Sequence, residues 1–319
     1  MKHYLAIRDI DDLQQWVKTA RSLKAHPTAY KNLGEGKTIC LLFFNNSLRT
    51  RLSTQKAAMN LGMEVMVMNF GSEGWQLEFE DGTVMDKGKS EHIREAAKVV
   101  SQYCDVVSIR AFADLKDKIK DEAELVLNGF KKHASVPVVN MESSVGHPLQ
   151  ALADAITLDE ENTKKRPKIV LSWAPHPKAL PHAVANSFVE MMLLQDAEFV
   201  ITHPEGYELN PEISKEVRIE HDQKKACENA DFVYVKNWSS YSDYGKVLHQ
   251  DAGWMMTQEK LGHAKFMHCL PVRRNVVVED AILDGGQSLV IEQANNRTYS
   301  AQVVLKNILE ALSAEEQSS

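Results

Sequence analysis

The stretch Thr38-Ile39-Cys40-Leu41-Leu42-Phe43-Phe44-Asn45-Asn46-Ser47-Leu48-Arg49-Thr50-Arg51 decides the fold class and points to a site. Its first part is an unbroken apolar run, the pattern of a strand covered on both faces of a parallel sheet. Its last part opens a helix expected over 48–61 and stopped at Gly62. A buried strand therefore ends where a helix begins. The junction carries two hydroxyls, Ser47 and Thr50, and two guanidinium groups, Arg49 and Arg51. A helix N-terminus has unpaired N–H groups and a partial positive charge, so it attracts an anion. Arginines add paired donors that match phosphate or carboxylate. The segment reads as a cradle for a small phosphorylated molecule. It has neither the GxxxxGK(S/T) loop of nucleotide binders nor the GxGxxG of dinucleotide folds.

The same alternation continues outward. Asp9 to Lys24 has the apolar spacing of an amphipathic helix. Further strands are expected at 64–70, 105–111 and 136–141, with helices at 90–103 and 117–132. A second series has strands at 168–173, 197–202, 231–236, 265–270 and 288–292, with helices near 182–195 and 213–229. This order predicts an α/β chain of two domains, each a parallel sheet with helices on both faces. The expected junction is a helix near 148–159 followed by the polar stretch Asp159 to Pro167, dividing the chain into 1–150 and 151–298. Tyr299 to Leu312 reads as a last amphipathic helix, and Ser313 to Ser319 as a frayed tail.

Two domains also suit a length of 319 residues, and 44% hydrophobic content is ample for packed cores. A net charge of -7 argues against a nucleic-acid partner. No apolar run approaches the roughly 20 residues that span a bilayer, and Met1 to Leu5 shows no signal-peptide pattern. Cys40, Cys104, Cys227 and Cys269 are widely spaced, which reads as reduced thiols in a cytoplasmic protein.

Several other strand ends present polar groups, and ligands of open α/β sheets bind beyond the carboxyl ends of strands. Arg110 ends 105–111; by itself such an arginine is more often a surface ion pair, but here it points to the same ligand as the 47–51 cluster. His147-Pro148-Leu149-Gln150 follows 136–141, with Pro148 suited to a first helical turn. His268-Cys269-Leu270-Pro271 follows another strand. The carbonyls of Cys269 and Leu270 cannot continue a ladder into Pro271, so they are free acceptors. Lys236 and His176 lie at two more ends. Cys269 as a nucleophile is an alternative, but nothing near it in sequence favours a thiolate. No His, Asp or Glu cluster has metal-ligand spacing, so neither metal nor cofactor is expected. The long polar loop from Gly71 to Lys89 has the length of a lid or binding loop. Its Trp75 reads as exposed, either by chance or for an interface or ligand.

Ser-Leu-Arg-Thr-Arg at 47–51, His-Pro-Leu-Gln at 147–150 and His-Cys-Leu-Pro at 268–271 together resemble, in order and spacing, the signatures of the aspartate/ornithine carbamoyltransferases. The resemblance covers nearly the whole chain. It implies one domain for carbamoyl phosphate and one for the amine substrate. It also implies a last helix (299–319) packed back on the first domain, and homotrimers with sites shared between subunits. Phosphate would sit on Ser47, the Leu48 N–H, Arg49, Thr50 and the neighbour's Trp75. Arg110, His147 and Thr50 would face the carbamoyl oxygen. Gln150 and the Cys269 and Leu270 carbonyls would face the carbamoyl NH2, and Arg297 would lie near the same group. Pro148 and Leu149 belong to the same segment. Leu48 departs from the usual threonine, which matters little where only a backbone N–H is needed.

The second half lacks the Ser-Met-Gly segment with which ornithine enzymes hold free ornithine. Tyr234-Val235-Lys236-Asn237-Trp238 stands there instead. The chain looks like the branch acting on Nα-acylated ornithine, in which Glu142, Lys236 and Leu270 contact the amino-acid part. Ser90 matches a position that is glutamate in the acetyl branch and proline in the succinyl branch. The stretch Asn275 to Val278 has no counterpart of the acetyl branch's lysine. With His176 read as an extra cation near the acyl end, the resemblance leans towards N-succinylornithine. N-acetylornithine is the runner-up, then ornithine, putrescine or aspartate. A silent anion-binding homologue and a nucleotide-binding α/β protein are the rivals from other classes.

Overall fold

A computed structural model describes residues 2–248 and 251–318; Met1 and Ser319, the outer ends of the expected divisions, lie outside the described residues. The first half begins with helix α1 (Leu13–Ala25), which turns Leu13, Trp16, Val17, Ala20 and Leu23 inward. Strand β1 (Thr38–Phe43) follows, buried from Ile39 onward. It leads through the junction at 44–48 into α2 (Arg49–Asn60) and then β2 (Glu64–Asn69). Next come α3 (Phe70–Glu73), the two-residue strands β3 (Leu77–Glu78) and β4 (Glu91–His92), and α4 (Ile93–Val100). Strand β5 (Val106–Arg110), helices α5 (Lys118–Glu122) and α6 (Leu125–His133), and β6 (Val138–Glu142) complete this half. The sheet is parallel in the order β2-β1-β5-β6.

Helix α7 (Pro148–Glu161) carries the chain from this sheet to a second one. The second half runs β7 (Lys168–Trp173), α8 (Ala183–Met192), β8 (Glu198–Thr202), α9 (Pro211–Ser214) and β9 (Arg218–Glu220). It continues with α10 (Gln223–Cys227), β10 (Phe232–Lys236), α11 (Gln258–Leu261), β11 (Lys265–Met267) and α12 (Asp280–Leu283). Its strands are also parallel, in the order β11-β10-β7-β8-β9. Helix α13 (Val290–Ser318) returns to pack on α1, α2 and α7. It buries Val303, Val304, Leu305, Ile308 and Leu309. Each such side chain contributes about 1.5–3 kcal/mol when removed from water, so the C-terminal helix is an integral part of the first half's core. The expected class, parallel α/β with helices on both faces and a C-terminal helix folded back, is the observed one.

Four sequence expectations need correction. The segment 288–292 is not a strand: Leu289 N–H bonds Phe266 O at 2.8 Å, and helix begins at once at Val290, not Tyr299. The tail is not frayed up to Ser318; it stays helical, with Glu316 paired to Lys37 at 2.5 Å. The helix expected over 213–229 is instead α9, the edge strand β9 and α10, because Pro211 and the Asp222 side-chain cap each start a separate short helix. The helix expected over 117–132 breaks into α5 and α6 at Glu124, whose φ of +46° lies in the left-handed region. Among the described residues, no helix is long and apolar enough to cross a membrane, and all four cysteines are buried free thiols.

Candidate active site

The carboxyl ends of β1, β5, β6, β7, β10 and β11 converge on a cleft of about 530 Å³ between the two sheets. At the β1–α2 junction, the Thr50 N–H donates to Ser47 Oγ at 3.3 Å, so the serine side chain occupies one first-turn donor of the helix. The Leu48 side chain is 66% exposed and turns away, leaving its backbone to the junction. Arg49 lines the cleft, and its Nε is buried with no hydrogen-bond partner. A buried, unsatisfied guanidinium donor is costly, and an anion relieves it.

Arg297 reaches the same place from α13. Its Nη2 donates to Thr50 Oγ1 at 2.6 Å and lies 3.3 Å from His147 Nε2. Burial pushes Arg297 down to about 10, so it stays cationic near neutral pH. Burial, together with Arg297, Arg110, Arg49 and Lys236, holds the His147 imidazole well below its usual range. The ring is therefore neutral. With Nε2 accepting from Arg297, the proton sits on Nδ1, which is buried and unpartnered. Thr50 Oγ1 likewise accepts from Arg297 and keeps its own O–H free to donate.

Arg110 is held by an irregularity in the sheet. Between Ile109 and Arg110 the β5–β6 register slips, so Arg110 pairs with Glu142. Arg110 Nε donates to Glu142 Oε2 at 3.1 Å, with Nη2 in ion-pair contact with the same oxygen at 2.9 Å, and Nη1 donates to the Asn45 and Asn46 carbonyls at 3.0 and 2.7 Å. Nε and Nη1 are thereby used, and the Nη2 N–H groups remain for a ligand. On the opposite wall, Lys236 is buried; its Nζ donates to Asn237 O at 2.9 Å, and among the described residues it has no carboxylate partner. Leu270 adopts φ +57°, and its N–H donates to His268 Nδ1 at 2.8 Å. Burial raises the Cys269 thiol, which keeps it protonated and removes the support for a nucleophilic cysteine.

Residues 2–160 match the carbamoyl-P binding domain of the aspartate/ornithine carbamoyltransferases, and residues 181–308 match the Asp/Orn binding domain of the same family. The chain belongs to this family. It is 48% identical over 317 residues to an N-succinylornithine carbamoyltransferase of Bacteroides fragilis, covering 98% of this chain and all of that one. An N-acetylornithine carbamoyltransferase of Xylella fastidiosa is 34% identical, with 99% of each chain covered. A solved glutamate-to-serine mutant of N-acetyl-L-ornithine transcarbamylase, complexed with carbamyl phosphate and N-succinyl-L-norvaline, is similar with a TM-score of 0.91. It is 33% identical, and the match covers 97% of this chain and 100% of that one.

Within this carbamoyltransferase, the cleft gathers Ser47, Arg49, Thr50, Arg110, Glu142, His147, Gln150, His176, Lys236, Cys269, Leu270 and Arg297. Pro148 and Leu149 do not line it; their carbonyls accept from Tyr4 Oη and Ser300 Oγ, so they seat α7. Arg51, Trp75 and Ser90 also lie outside the chain's own cleft. Trp75 is exposed, its Nε1 donating to Glu91 at 2.9 Å, and the Ser90 N–H donates to Gln76 O at 3.2 Å. The β3–β4 pairing thus holds Trp75 and Ser90 at the base of one loop. His176 lines the cleft, but not as the expected cation. Burial lowers it, and its Nε2 accepts from Arg273 Nε at 3.1 Å, so the positive charge at that end is Arg273. Sequence reasoning missed Arg273, Asn45, Phe112 and the buried Asp154. Arg273 lies only two residues after Pro271, so its place beside the His268 to Pro271 segment is the signal that could have found it.

Proposed function

We propose that the protein transfers the carbamoyl group of carbamoyl phosphate to the δ-amine of N-succinyl-L-ornithine. The products are N-succinyl-L-citrulline and phosphate, a step of arginine biosynthesis. The observation that carries this reading is the meeting, in one cleft, of a cationic cradle (Arg49, Arg110, Arg297) with the carboxylate-free Lys236 of the facing wall. The first half, residues 1–150 with the C-terminal helix, holds carbamoyl phosphate; 151–298 hold the acylated amino acid.

Phosphate binds Ser47, the Leu48 N–H, Arg49 and Thr50 at the start of α2. The Thr50 hydroxyl, His147 and an Arg110 Nη2 N–H donate to the carbamoyl oxygen. They strengthen as that oxygen becomes an oxyanion in the tetrahedral intermediate. Gln150 Oε1 and the carbonyls of Cys269 and Leu270 accept from the NH2. The neutral δ-amine attacks the carbonyl carbon, the C–O bond to phosphate breaks, and the leaving phosphate takes the amine proton. Positioning supplies most of the rate, so no protein base is required. Lys236 and Glu142, with His176 and Arg273 beyond, hold the acylated amino acid.

Two observations support succinyl over acetyl. The Bacteroides fragilis relative named for N-succinylornithine is the more similar, at 48% against 34%. Ser90 also stands where the acetyl branch has glutamate, and the glutamate-to-serine mutant structure carries N-succinyl-L-norvaline. A glutamate there would oppose a second substrate carboxylate; a serine does not. Subunit sharing is supported by exposed apolar side chains at the cap of α2 (Leu48), along α2 (Leu52 and Met59) and on the edge strand β2 (Met66). Trp75, exposed and outside its own cleft, reaches a phosphate site through a neighbouring copy in a homotrimer.

The test is phosphate release from carbamoyl phosphate with N-succinylornithine, N-acetylornithine, ornithine, putrescine and aspartate as acceptors. Fastest turnover is expected with N-succinylornithine. Preference for N-acetylornithine would overturn the acyl assignment alone; silence with all five would favour a non-enzymatic anion binder.

A further inference from the structure

On the footing of the carbamoyl-transfer reading, we infer that Asp154 is a positioning residue for the carbamoyl NH2. It fixes which end of the Gln150 amide faces the cleft and, through Gln293, anchors the His268–Pro271 segment on the opposite wall.

Asp154 lies one helical turn after Gln150 on α7 and is fully buried. Its Oδ1 accepts from Gln150 Nε2 at 2.8 Å and from Gln293 Nε2 of α13 at 2.9 Å. A carboxylate offers only acceptors, so both amides must turn their NH2 groups toward it. Gln150 Oε1 is thereby left buried and without a partner on a cleft-lining residue. That is the acceptor a carbamoyl NH2 requires; a flipped Gln150 would present donor to donor. Gln293, turned the same way, directs Oε1 to the His268 N–H at 2.8 Å. The residues after His268 are Cys269 and Leu270, whose carbonyls are the other acceptors for the NH2. One carboxylate oxygen therefore sets both halves of the acceptor set, although Asp154 itself lines no part of the cleft.

The experiment compares wild-type protein with Asp154→Ala and Asp154→Asn at pH 8. It measures kcat, KM for N-succinylornithine and inhibition by inorganic phosphate. Misplacement of the reacting group costs on the order of 100-fold, so kcat should fall ~100-fold in D154A. In D154N it should fall only ~10-fold, because the amide oxygen still accepts but more weakly than a charged one. KM for N-succinylornithine and the phosphate inhibition constant should stay within about 3-fold, since Lys236 and the Arg49 cradle are untouched. A D154A kcat within 3-fold of wild type overturns the inference. So does a phosphate constant that rises in step with the lost kcat, which would mark general collapse of the site. Wild-type protein inactive with every acceptor would instead overturn the functional reading itself.

Discussion

Arg297 Nη2 donates to Thr50 Oγ1 at 2.6 Å, joining the C-terminal helix to the start of α2 across 247 positions of chain. This contact does two things at once. It brings positive charge to the cleft, and it fixes the threonine as an acceptor on one side so that its hydrogen is free on the other. Thr50→Val keeps the shape and deletes that hydrogen. Removing one oxyanion donor costs about 100- to 1000-fold in kcat, and a loss of this size is expected with KM for N-succinylornithine little changed. Steady-state kinetics decide it; a T50V enzyme within 5-fold of wild type would remove Thr50 from the oxyanion set.

Arg49 carries the phosphate claim. Its Nε has no partner inside the protein, so Arg49→Ala removes a group the fold does not use internally. Turnover should fall below detection while the melting temperature stays within a few degrees. Near-normal activity in R49A would sink the anion cradle.

Much of this arrangement is legible in the sequence, and the limits are physical. Strand ends announce themselves because apolar runs stop abruptly at polar residues, as Phe43 does before Asn45 and Val235 before Lys236. Short elements do not: β9 has three residues, and Arg218 and Glu220 give it no apolar run. The start of α13 was hidden because Leu289-Val290-Ile291 is apolar and holds the β-branched pair Val290 and Ile291, while tertiary packing on α2 and α7 decides for helix. Asp154 was invisible for a different reason. It sits in an apolar helix with no neighbouring charge in sequence, and its partner Gln293 is 139 residues away. His176 read as a cation because its partner Arg273 is 97 residues distant.

Asp154 also predicts a pH dependence. Burial raises it from 3.8 to about 7, partly offset by the hydrogen bonds from Gln293 and Gln150; Tyr234 of β10, Cys269 after β11 and Arg297 of α13 face it. The carboxylate form holds the two amides more tightly than the neutral acid, so kcat should fall several-fold as pH drops through about 7. Asp154→Asn should lack this limb. Stability runs the other way: between pH 3.8 and about 7 the folded state keeps a proton that the unfolded chain has released, so this group's contribution is lost as pH rises. D154N should therefore melt higher than wild type at pH 8 and not at pH 4. An unchanged kcat profile together with equal melting at pH 8 would contradict both.

Ser90 tests the acyl choice. It lies outside its own chain's cleft, on the loop that Trp75 shares. Ser90→Glu adds a like charge against a succinyl carboxylate, a juxtaposition that costs several kcal/mol where water is excluded. kcat/KM for N-succinylornithine should drop by roughly 100-fold, with N-acetylornithine affected far less; Ser90→Pro should retain the succinyl substrate. Equal effects of S90E on both substrates would mean that this position does not read the acyl group.

Subunit sharing can be tested by complementation. If Trp75 completes a neighbour's phosphate site, then Trp75→Ala and Arg49→Ala damage different chains of the same site. Each variant alone should be nearly inactive. Mixed assemblies, made by co-expression or by dissociation and reassembly, contain some sites with an intact Arg49 on one chain and an intact Trp75 on the next. Activity should therefore return on mixing, in proportion to the mixed trimers counted by native mass spectrometry. Rescue cannot arise within a single chain, because Trp75 is 54% exposed and lies outside the cleft that Arg49 lines. Mixed trimers that form and stay inactive would show that each chain works alone and that the tryptophan serves only the surface around Glu91.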